Sequence, residues 1–510
     1  MCSFFFSNLK IQFDKVNLRL KKRGPDLTKS GIIDEFYYIH NLLSITGKYT
    51  SQPLINNNCF MLYNGEIYNY KQFGQYENDT KALFDLYCKS KKIDFLDSLD
   101  GEYVFLIYDK ILKKVFVVSD IFGTKPMYYA KKKNKFAFSS NQSSIVSLNY
   151  FSQVMQMPPN TIIEIDLINY DFKIIDDYYK FNLNQFKNSY DDWIKAFNES
   201  IKKRTATNKN IFITLSSGYD SGLIAANLNK QKIKYSAYSM FGKEDLFTLF
   251  QRKKISRKLK INHQIFNQTK KQYKRNYNYF KNNIDEYICD QNKLLSDDNA
   301  ITGLVQIMRK AKKNNQKIYL SGQGADEIIG DYGFNGIALN KTSTLKGIYP
   351  KDLRDIFPWK NFYYGSQRKF LAKEENIAGQ FGIEARYPFL DKKVVQEFLN
   401  LSIDLKHKFY KAPINKALTN LNYPITSIKE KRFKVGFKSK ANLYNNSLKS
   451  YLAVYIFSKI NLNNIKNKHR YEFLLYRYFI NRINFINFLM KTMRMFYRSN
   501  FSKQKLNASN

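Results

Sequence analysis

The stretch IFITLSSGYDS, residues 211–221, decides the fold of the second half of the chain. Its apolar run, Ile211 to Leu215, predicts a buried strand, and the residues from Leu223 onward predict a helix. The small residues between them let backbone N–H groups and hydroxyls approach a phosphate, and the helix N-terminus adds partial positive charge. Because no Gly-Lys-Ser/Thr follows, this is not the loop of γ-phosphoryl transfer. The stretch therefore predicts an anion-binding loop.

A second predicted strand ends in a second glycine-rich loop. The strand covers Lys317 to Leu320, and the sequence SGQG at residues 321–324 follows it directly. Strands that alternate with helices, such as the helix predicted over Trp193 to Lys203, indicate a parallel α/β sheet. Ligands of such sheets bind at the carboxyl ends of the strands, so we expect the two loops to share one site.

The first part of the chain, from Cys2 to about Tyr179, has a different pattern. Short β-rich runs such as Tyr103 to Tyr108 and Lys114 to Ser119 predict layered sheets, with one helix over Thr80 to Ser90. The polar segment 182–189 is the expected linker between the two parts. The turn signals between the strands are Asn64-Gly65, Gly101 and Gly123.

The composition excludes several classes of protein. The 510 residues, 44% of them hydrophobic, are enough for about two to four domains with buried cores. The formal net charge of +40 would attract polyanions, but no nucleic-acid-binding motif accompanies it, and a general bias toward lysine accounts for it. Neither a secretory signal nor a membrane span is recognisable. The cysteines are too scattered for a disulfide framework and indicate a reducing cytosol: Cys2, Cys59, Cys88 and Cys289.

Cys2 gains a chemical role if Met1 is removed. The new N-terminal residue then holds both a thiol nucleophile and an α-amine with a pKa of about 7.7–8.0, so the amine can take the thiol proton, directly or through water. A cysteine at position two is more often only the second residue of a chain. The rest of the N-terminal segment decides between these interpretations.

Four motifs occur in order in this segment, and together they resemble the glutaminase domain of asparagine-synthetase-type class II amidotransferases. The resemblance implies an α+β N-terminal-nucleophile fold with αββα layers. It also implies that Cys2 is the catalytic nucleophile, that Asn64 and Gly65 stabilise the oxyanion, and that Asn64, Glu66 and Asp79 bind glutamine. The motifs are RGPD at residues 23–26, NGEIYN at 64–69, LDG at 99–101 and DIFGTKP at 120–126.

One position departs from the family's pattern. The family usually reads Arg-Leu-Ser-Ile where this chain has Leu42-Leu43-Ser44-Ile45, so the arginine expected to pair with the glutamine α-carboxylate is absent. Losing a buried charge-assisted contact of this kind weakens binding. Two alternatives follow: another cation, such as Arg23, takes its place, or the domain is inactive and the synthetase uses free ammonia.

The second part of the chain resembles the ATP-dependent synthetase domain of the same family. The loop at 216–221 is similar to the family's SGGxDS pattern, with Ser217 at its first glycine and Gly222 where a second serine is common. The resemblance implies a Rossmann-like α/β pyrophosphatase-loop domain that uses ATP and Mg²⁺, with Asp220 and Asp326 as metal ligands. The residues expected to bind ATP are Leu215, Ser216, Ser217, Gly218, Asp220, Ser221, Ser321 and Gly322.

Later elements extend this resemblance. The stretch EARYPFLD from Glu384 matches the family's ExRxPFLD closely, and RFKVGF resembles RxKxGF, which implies a catalytic role for Lys434. Gln323 stands where some asparagine synthetases carry a glutamate, so this position offers no base for the attack of ammonia. Glu374 or Glu375 is the expected substitute, and we select Glu375 as the catalytic residue.

The resemblance spans roughly residues 2–438 and implies a two-site enzyme. We expect an amidotransferase domain at 2–180, a synthetase domain at 190–450 and a basic helical extension at 451–510. The implied reaction is adenylation of L-aspartate by ATP and amidation by ammonia released from glutamine. The alternatives are another carboxylate acceptor, such as a sugar uronate or a peptide-like metabolite, the use of free ammonia only, and a non-catalytic basic binding protein. We expect a cytoplasmic protein with no membrane or nucleic-acid partner, and a homodimer is compatible with the resemblance.

Overall fold

A computed structural model of the protein describes residues 1–240, 245–286, 288–289, 293–298 and 300–425, together with Met490. These residues form two domains, each with its own sheet system. Among them, no helix combines the length and the apolar character that crossing a bilayer requires. Lys434 and the predicted extension at 451–510, apart from Met490, lie outside the described residues.

The first domain is a sandwich of two six-stranded antiparallel sheets. The first strand shows how the sequence builds it, because Phe4 and Phe6 face the core between the sheets whereas Phe5 packs on the outer side. The strands are β1 (Ser3–Ser7), β2 (Leu27–Ile33), β3 (Phe36–Leu42), β4 (Leu54–Ile55), β5 (Cys59–Ile67), β6 (Gly101–Asp109), β7 (Lys114–Ser119), β8 (Tyr128–Lys132), β9 (Lys135–Ser139), β10 (Met155–Gln156), β11 (Thr161–Asp166) and β12 (Phe172–Asp176).

Helices cover the outer face of each sheet. Helices α1 (Phe13–Leu20) and α3 (Gln142–Val146) pack on the sheet ordered β10-β8-β9-β1-β3-β2. Helix α2 (Asp79–Ser90) packs on the sheet ordered β12-β11-β7-β6-β5-β4. The layers therefore run helix, sheet, sheet, helix, which confirms the predicted αββα fold.

Two of the predicted turns are wrong. Asn64 and Gly65 lie inside the nine-residue strand β5, opposite Val104 and Tyr103 of β6, and Gly101 begins β6. A Cβ at position 65 would lie 2.3 Å from the carbonyl oxygen of Glu102, so Gly65 is required by the close approach of the neighbouring strand. Asn-Gly is a strong local turn signal, and strand pairing overrides it here.

The second domain is built on a five-stranded parallel sheet ordered β15-β14-β13-β18-β21, as predicted for the α/β half. Its strands are β13 (Asn210–Thr214), β14 (Ser236–Met240), β15 (Asn262–Phe266), β18 (Gln316–Leu320) and β21 (Glu384–Arg386), with the short pairs β16 (Ile288–Cys289) with β17 (Lys293–Leu294) and β19 (Gly333–Phe334) with β20 (Ile337–Ala338). Its helices are α4 (Asp191–Thr205), α5 (Tyr219–Lys230), α6 (Leu246–Lys258), α7 (Lys270–Asn283), α8 (Ile301–Lys313), α9 (Lys360–Tyr363), α10 (Gly365–Gly379), α11 (Lys392–Asn400), α12 (Ile403–His407) and α13 (Ala412–Asn420).

Adjacent strands bring the two glycine-rich loops together. β13 and β18 pair in parallel, with Ile213 opposite Leu320, and each is followed at its carboxyl end by its loop. A Cβ on Gly322 would lie 3.0 Å from the Cβ of Asp220, so the loops are in contact. The predicted common edge for both loops is therefore present in the fold.

The two domains meet through buried ion pairs. Arg204 of α4 places Nε 2.7 Å from an oxygen of Glu102 in β6 and Nη1 2.8 Å from an oxygen of Asp391, the residue before α11. All three side chains are about 1% exposed. Burial alone would raise the pKa of Glu102, but Arg204 and Lys125 hold it below its usual value. Glu102 is therefore an ionised carboxylate at the centre of the interface.

We expect Arg204→Ala to destabilise the protein by about 1.5–3 kcal/mol, because it removes the common partner of two buried carboxylates, although Glu102 keeps Lys125 and Asp391 keeps Lys203. The measurement is the urea unfolding midpoint at pH 7. Lys202→Ala is the matched control, since Lys202 lies on the same helix with its side chain 73% exposed, and it should leave the midpoint unchanged. Equal midpoints for both variants would show that Arg204 does not hold the interface.

Candidate functional site

The Cys2 thiol is held against the end of β3. Its Sγ donates to the carbonyl oxygen of Leu43 at 3.8 Å and accepts from the Leu43 N–H at 3.4 Å. Met1 is fully buried, and its amine lies 3.4 Å from the carbonyl oxygen of Arg23. Burial raises the pKa of the Cys2 thiol to about 11. With Met1 attached, the thiol is therefore protonated near neutral pH.

The side-chain amide of Asn64 is buried with both of its polar atoms unpaired among the described residues. It is fully buried, yet neither its oxygen nor its nitrogen has a hydrogen-bond partner within the described protein. A buried polar group left unpaired costs about 1–3 kcal/mol, so this amide calls for a partner such as a ligand or a water. This supports the predicted role of Asn64 in binding the oxygen of a substrate amide.

The two predicted glutamine-binding carboxylates differ in their surroundings. Asp79 accepts from the Tyr63 hydroxyl at 2.7 Å and from the Ile67 N–H at 2.9 Å, both through Oδ2. Asn78, not Asp79, caps α2, because the Asn78 side chain accepts from the Lys81 N–H. Glu66 lies 3.1 Å from Nη2 of Arg386 in the second domain. Glu66 is therefore already paired across the domain boundary, and Asp79 is not ion-paired in the described structure.

Among the described residues, no free cation replaces the family arginine that is missing at Leu42. Leu42 is buried as an apolar residue at the end of β3. The alternative cation, Arg23, directs its guanidinium at the second domain, donating to the Glu375 carbonyl oxygen at 3.0 Å and pairing with its carboxylate at 3.1 Å. In the described part of the chain, the one cation that pairs with a predicted glutamine-binding carboxylate is Arg386.

Hydroxyl groups organise the loop at 216–221. The Ser216 N–H donates to Ser221 Oγ at 3.1 Å, the two Oγ atoms lie 2.9 Å apart, and the Gly218 N–H donates to Ser216 Oγ at 3.1 Å. Helix α5 begins at Tyr219, so residues 219–221 form its first turn and its N-terminus lies within the loop. This is the arrangement of an anion-binding turn at a helix N-terminus.

Arg252 binds this loop, a role that no pattern in the sequence indicated. It is fully buried and donates to the carbonyl oxygens of Ser216 at 2.5 Å and Gly218 at 2.8 Å. A Cβ on Gly222 would lie 2.4 Å from Nη2 of Arg252. Gly222, where the family often has serine, therefore makes room for the arginine that binds the loop.

The two predicted metal ligands converge on a lysine. Nζ of Lys411 lies 2.5 Å from an oxygen of Asp220 and 2.5 Å from an oxygen of Asp326, and its side chain is fully buried. Carboxylates that meet at one buried cation also suit Mg²⁺, which prefers hard oxygen ligands. Lys411 is one of many lysines in a basic chain and lies far along the sequence from both aspartates, so only the tertiary structure identifies it.

The neighbouring carboxylates of α10 point to different places. Glu374 accepts from Gln323 Nε2 at 3.1 Å, beside the second loop. Glu375 instead lies at the domain interface, where it contacts Arg23, Lys125 and the Tyr387 hydroxyl. The structure does not bring Glu375 to the loop, which corrects our selection of Glu375 over Glu374 as the residue near the site of ammonia attack.

Most predicted site residues thus fall into two groups. One lies around Cys2 and β5, and the other at the carboxyl ends of β13 and β18. Lys434 lies outside the described residues, so its role stays a prediction.

Family models match most of the chain. A model described as a glutamine amidotransferase domain matches residues 2–190, and a model described as asparagine synthase matches residues 192–370 and 351–480. The second model extends past the described residues and into the predicted C-terminal extension.

Curated relatives align over both domains. A putative asparagine synthetase (glutamine-hydrolysing) of Methanocaldococcus jannaschii is 28% identical over 404 residues, which cover 72% of this chain and 69% of the relative. An asparagine synthetase (glutamine-hydrolysing) of Rattus norvegicus is 25% identical over 439 residues, covering 76% and 74% of the two chains. Among solved structures, an allosteric regulatory enzyme of purine biosynthesis aligns with 52% of this chain and 80% of its own at 13% identity, and its TM-score of 0.30 is too low to support an argument. The family match over most of the second domain, preceded by an amidotransferase domain, means that this chain belongs to the asparagine synthase family of ATP-dependent ligases.

Proposed function

We propose that this chain is a glutamine-dependent asparagine synthetase. It would adenylate L-aspartate with ATP and amidate it with ammonia from glutamine, giving asparagine, glutamate, AMP and pyrophosphate. The observation that supports the proposal is that a single residue, Arg386, contacts both sites. The Arg386 side chain pairs with Glu66 of β5, and its carbonyl oxygen accepts from the Ser321 N–H of the second loop at 3.0 Å.

In the first site, Cys2 would act as an N-terminal nucleophile after removal of Met1. The free amine takes the thiol proton, the thiolate attacks the glutamine amide carbon, and the same amine returns a proton to the leaving ammonia. The unpaired amide of Asn64 and the Gly65 N–H would stabilise the oxyanion. Asp79, ordered by Tyr63 and the Ile67 N–H, would hold the glutamine α-amine.

In the second site, ATP would bind with its phosphates at the 216–221 loop and the N-terminus of α5. An oxygen of the acceptor carboxylate attacks the α-phosphorus, pyrophosphate leaves, and ammonia then displaces AMP from the acyl carbon. Asp220 and Asp326 would hold Mg²⁺, which supplies charge neutralisation at the phosphates when bound. Lys411, between these carboxylates, and Lys434 are the cations that we propose for the phosphate groups.

The absence of a cation at Leu42 favours a second candidate function, in which the enzyme uses free ammonia. Leu42 is buried and Arg23 is paired with Glu375, so neither offers a charge for the glutamine α-carboxylate. Aspartate itself is supported by the names of the relatives alone, and another small carboxylic acid remains the alternative acceptor. The scattered cysteines support a cytoplasmic location.

The test of the proposed function is product analysis by mass spectrometry with ATP, Mg²⁺ and L-aspartate, with either glutamine or ammonium chloride. Asparagine and AMP in equal amounts from glutamine are expected. Asparagine formed with ammonium chloride but not with glutamine would support the ammonia-dependent candidate. No asparagine from either source would exclude aspartate as the acceptor.

We expect Cys2→Ala to lower glutamine-dependent synthesis by about 10⁴-fold or more, because the covalent nucleophile is lost. Synthesis from ammonium chloride should be unchanged, since the second site is intact. Both rates are measured as AMP formation under saturating ATP. Equal glutamine-dependent rates with and without Cys2 would contradict the proposed nucleophile.

We also expect the reactivity of Cys2 to depend on Met1. While Met1 is attached, the thiol with its pKa near 11 is protonated below that pH, so alkylation by iodoacetamide at pH 7.5 should be slow and should accelerate up to about pH 11. The processed chain, with a free amine beside the thiol, should react faster at pH 7.5. The measurement is peptide mapping of protein made with and without inhibition of methionine aminopeptidase, and equal rates would contradict the expectation.

A further inference from the structure

A buried carboxylate beside the second loop is left partly unsatisfied. Glu374 of α10 is 4% exposed, and its Oε1 accepts from Gln323 Nε2 at 3.1 Å and from the Tyr319 hydroxyl at 3.3 Å. Its Oε2 has no hydrogen-bond partner among the described residues. Leaving a carboxylate oxygen dry and unpaired is unfavourable, so such a group indicates a site where a ligand completes the bonding.

The contacts of Glu374 place it at the ends of the two central strands. Tyr319 belongs to β18, and its hydroxyl also lies 3.0 Å from Thr214 Oγ1 at the end of β13. Gln323 belongs to the loop that follows β18 and contacts the 216–221 loop. The carboxylate therefore lies at the edge of the sheet where ligands of parallel α/β domains bind.

Gln323 alone has no group that can take a proton. Its amide nitrogen donates to Glu374, which leaves the amide oxygen as its acceptor group. That oxygen can accept a hydrogen bond from an N–H group, but a carboxamide is not a base near neutral pH. The Gln323 side chain is hydrogen-bonded to a carboxylate that can act as a base, Glu374, and burial raises the pKa of this carboxyl above its usual value.

We propose that Glu374 accepts the proton that the attacking nitrogen loses in the amidation step. Gln323 would position the Glu374 carboxylate and the attacking nitrogen. This rests on the proposed function. The ammonia lone pair forms the C–N bond at the acyl carbon while the carbonyl electron pair moves to oxygen. One N–H proton passes to Glu374 Oε2, the carbonyl re-forms, and the C–O bond to AMP breaks with its electron pair. Glu374 then returns its proton to solvent.

The neighbouring residue explains why this role falls to position 374. Glu375 has Oε1 bound by Lys125 at 3.3 Å and by the Tyr387 hydroxyl at 3.0 Å, and Oε2 bound by Arg23 at 3.1 Å. Both of its oxygens are thus committed to the domain interface. Glu374, one residue earlier on α10, is the carboxylate of this pair with an oxygen left for a substrate.

The experiment separates adenylation from amidation in the full chain. Acceptor-dependent exchange of labelled pyrophosphate into ATP, tested with L-aspartate and then a panel of small carboxylic acids, reports adenylation. Amide formation from ammonium chloride reports the second step. For Glu374→Gln, we expect exchange to be retained and amide formation to fall by about 10²–10⁴-fold. Glu199→Gln, at a side chain 56% exposed on α4, is the charge-matched control and should change neither rate.

A second variant moves the carboxylate to the loop. In Gln323→Glu with Glu374→Gln, the acid and amide exchange places and keep their mutual hydrogen bond, so amide formation should recover by about tenfold or more over Glu374→Gln. Normal amide formation by Glu374→Gln would overturn the inference and leave the proposed function standing. Equal loss of exchange and amidation in Glu374→Gln would also overturn it, because the residue would then be structural.

Two further outcomes complete the test. If Glu374→Gln does not fold, Glu374→Asp replaces it, and retained exchange with a reduced amidation rate is the expected result; equal loss of both overturns the inference. If the wild-type chain shows no exchange with any acid of the panel, the proposed function fails, and the inference fails with it.

Discussion

The pairing of Arg204 with Glu102 and Asp391 is the interaction on which the arrangement of the two sites depends. A guanidinium that binds Glu102 of the first domain and Asp391 of the second fixes the distance and orientation of the two elements, because these buried charges bind one another in place of water. Arg386 extends the same principle, binding Glu66 of the first domain through its side chain and Ser321 of the second through its backbone. The interface thus keeps the strand of Asn64 and the second glycine-rich loop in fixed relation.

Helix α10 carries two neighbouring carboxylates, one at the domain interface and one at the second loop. Successive side chains of a helix point about 100° apart, so Glu374 and Glu375 lie in different surroundings although they are neighbours on one turn. Glu375 binds Arg23, whose carbonyl oxygen lies near the Met1 amine, while Glu374 binds Gln323 at the second loop. One helix therefore carries an interface carboxylate and a site carboxylate side by side, and the sequence pair Glu-Glu gives no indication of which is which.

The departures from the family pattern have different physical outcomes. Gly222 leaves the space that Arg252 fills, and Arg252 in turn binds the carbonyl oxygens of the 216–221 loop. Gln323 lacks a carboxylate, and Glu374 brings one to the same place. Leu42 has no such counterpart, since the described cations nearby are already paired with acids. Of these three departures, two are thus offset by a neighbouring side chain, whereas the change at Leu42 is not offset by a described cation.

The sequence by itself determined the two-domain order, the layered sheets of the first part, the parallel sheet and its two loops, because period-two alternation and strand–glycine–helix patterns are local. The αββα order of the layers came from the family resemblance of the motifs. The sequence also made Cys2, Asn64 and Asp220 candidate site residues through motifs that resemble those of the family. Only the tertiary structure decided that Asn64-Gly65 lies within a strand, that Arg252 and Lys411 belong to the second site, and that Glu374 rather than Glu375 reaches Gln323. Each of these depends on contacts between residues far apart in sequence, where strand pairing and charge pairing override local propensity.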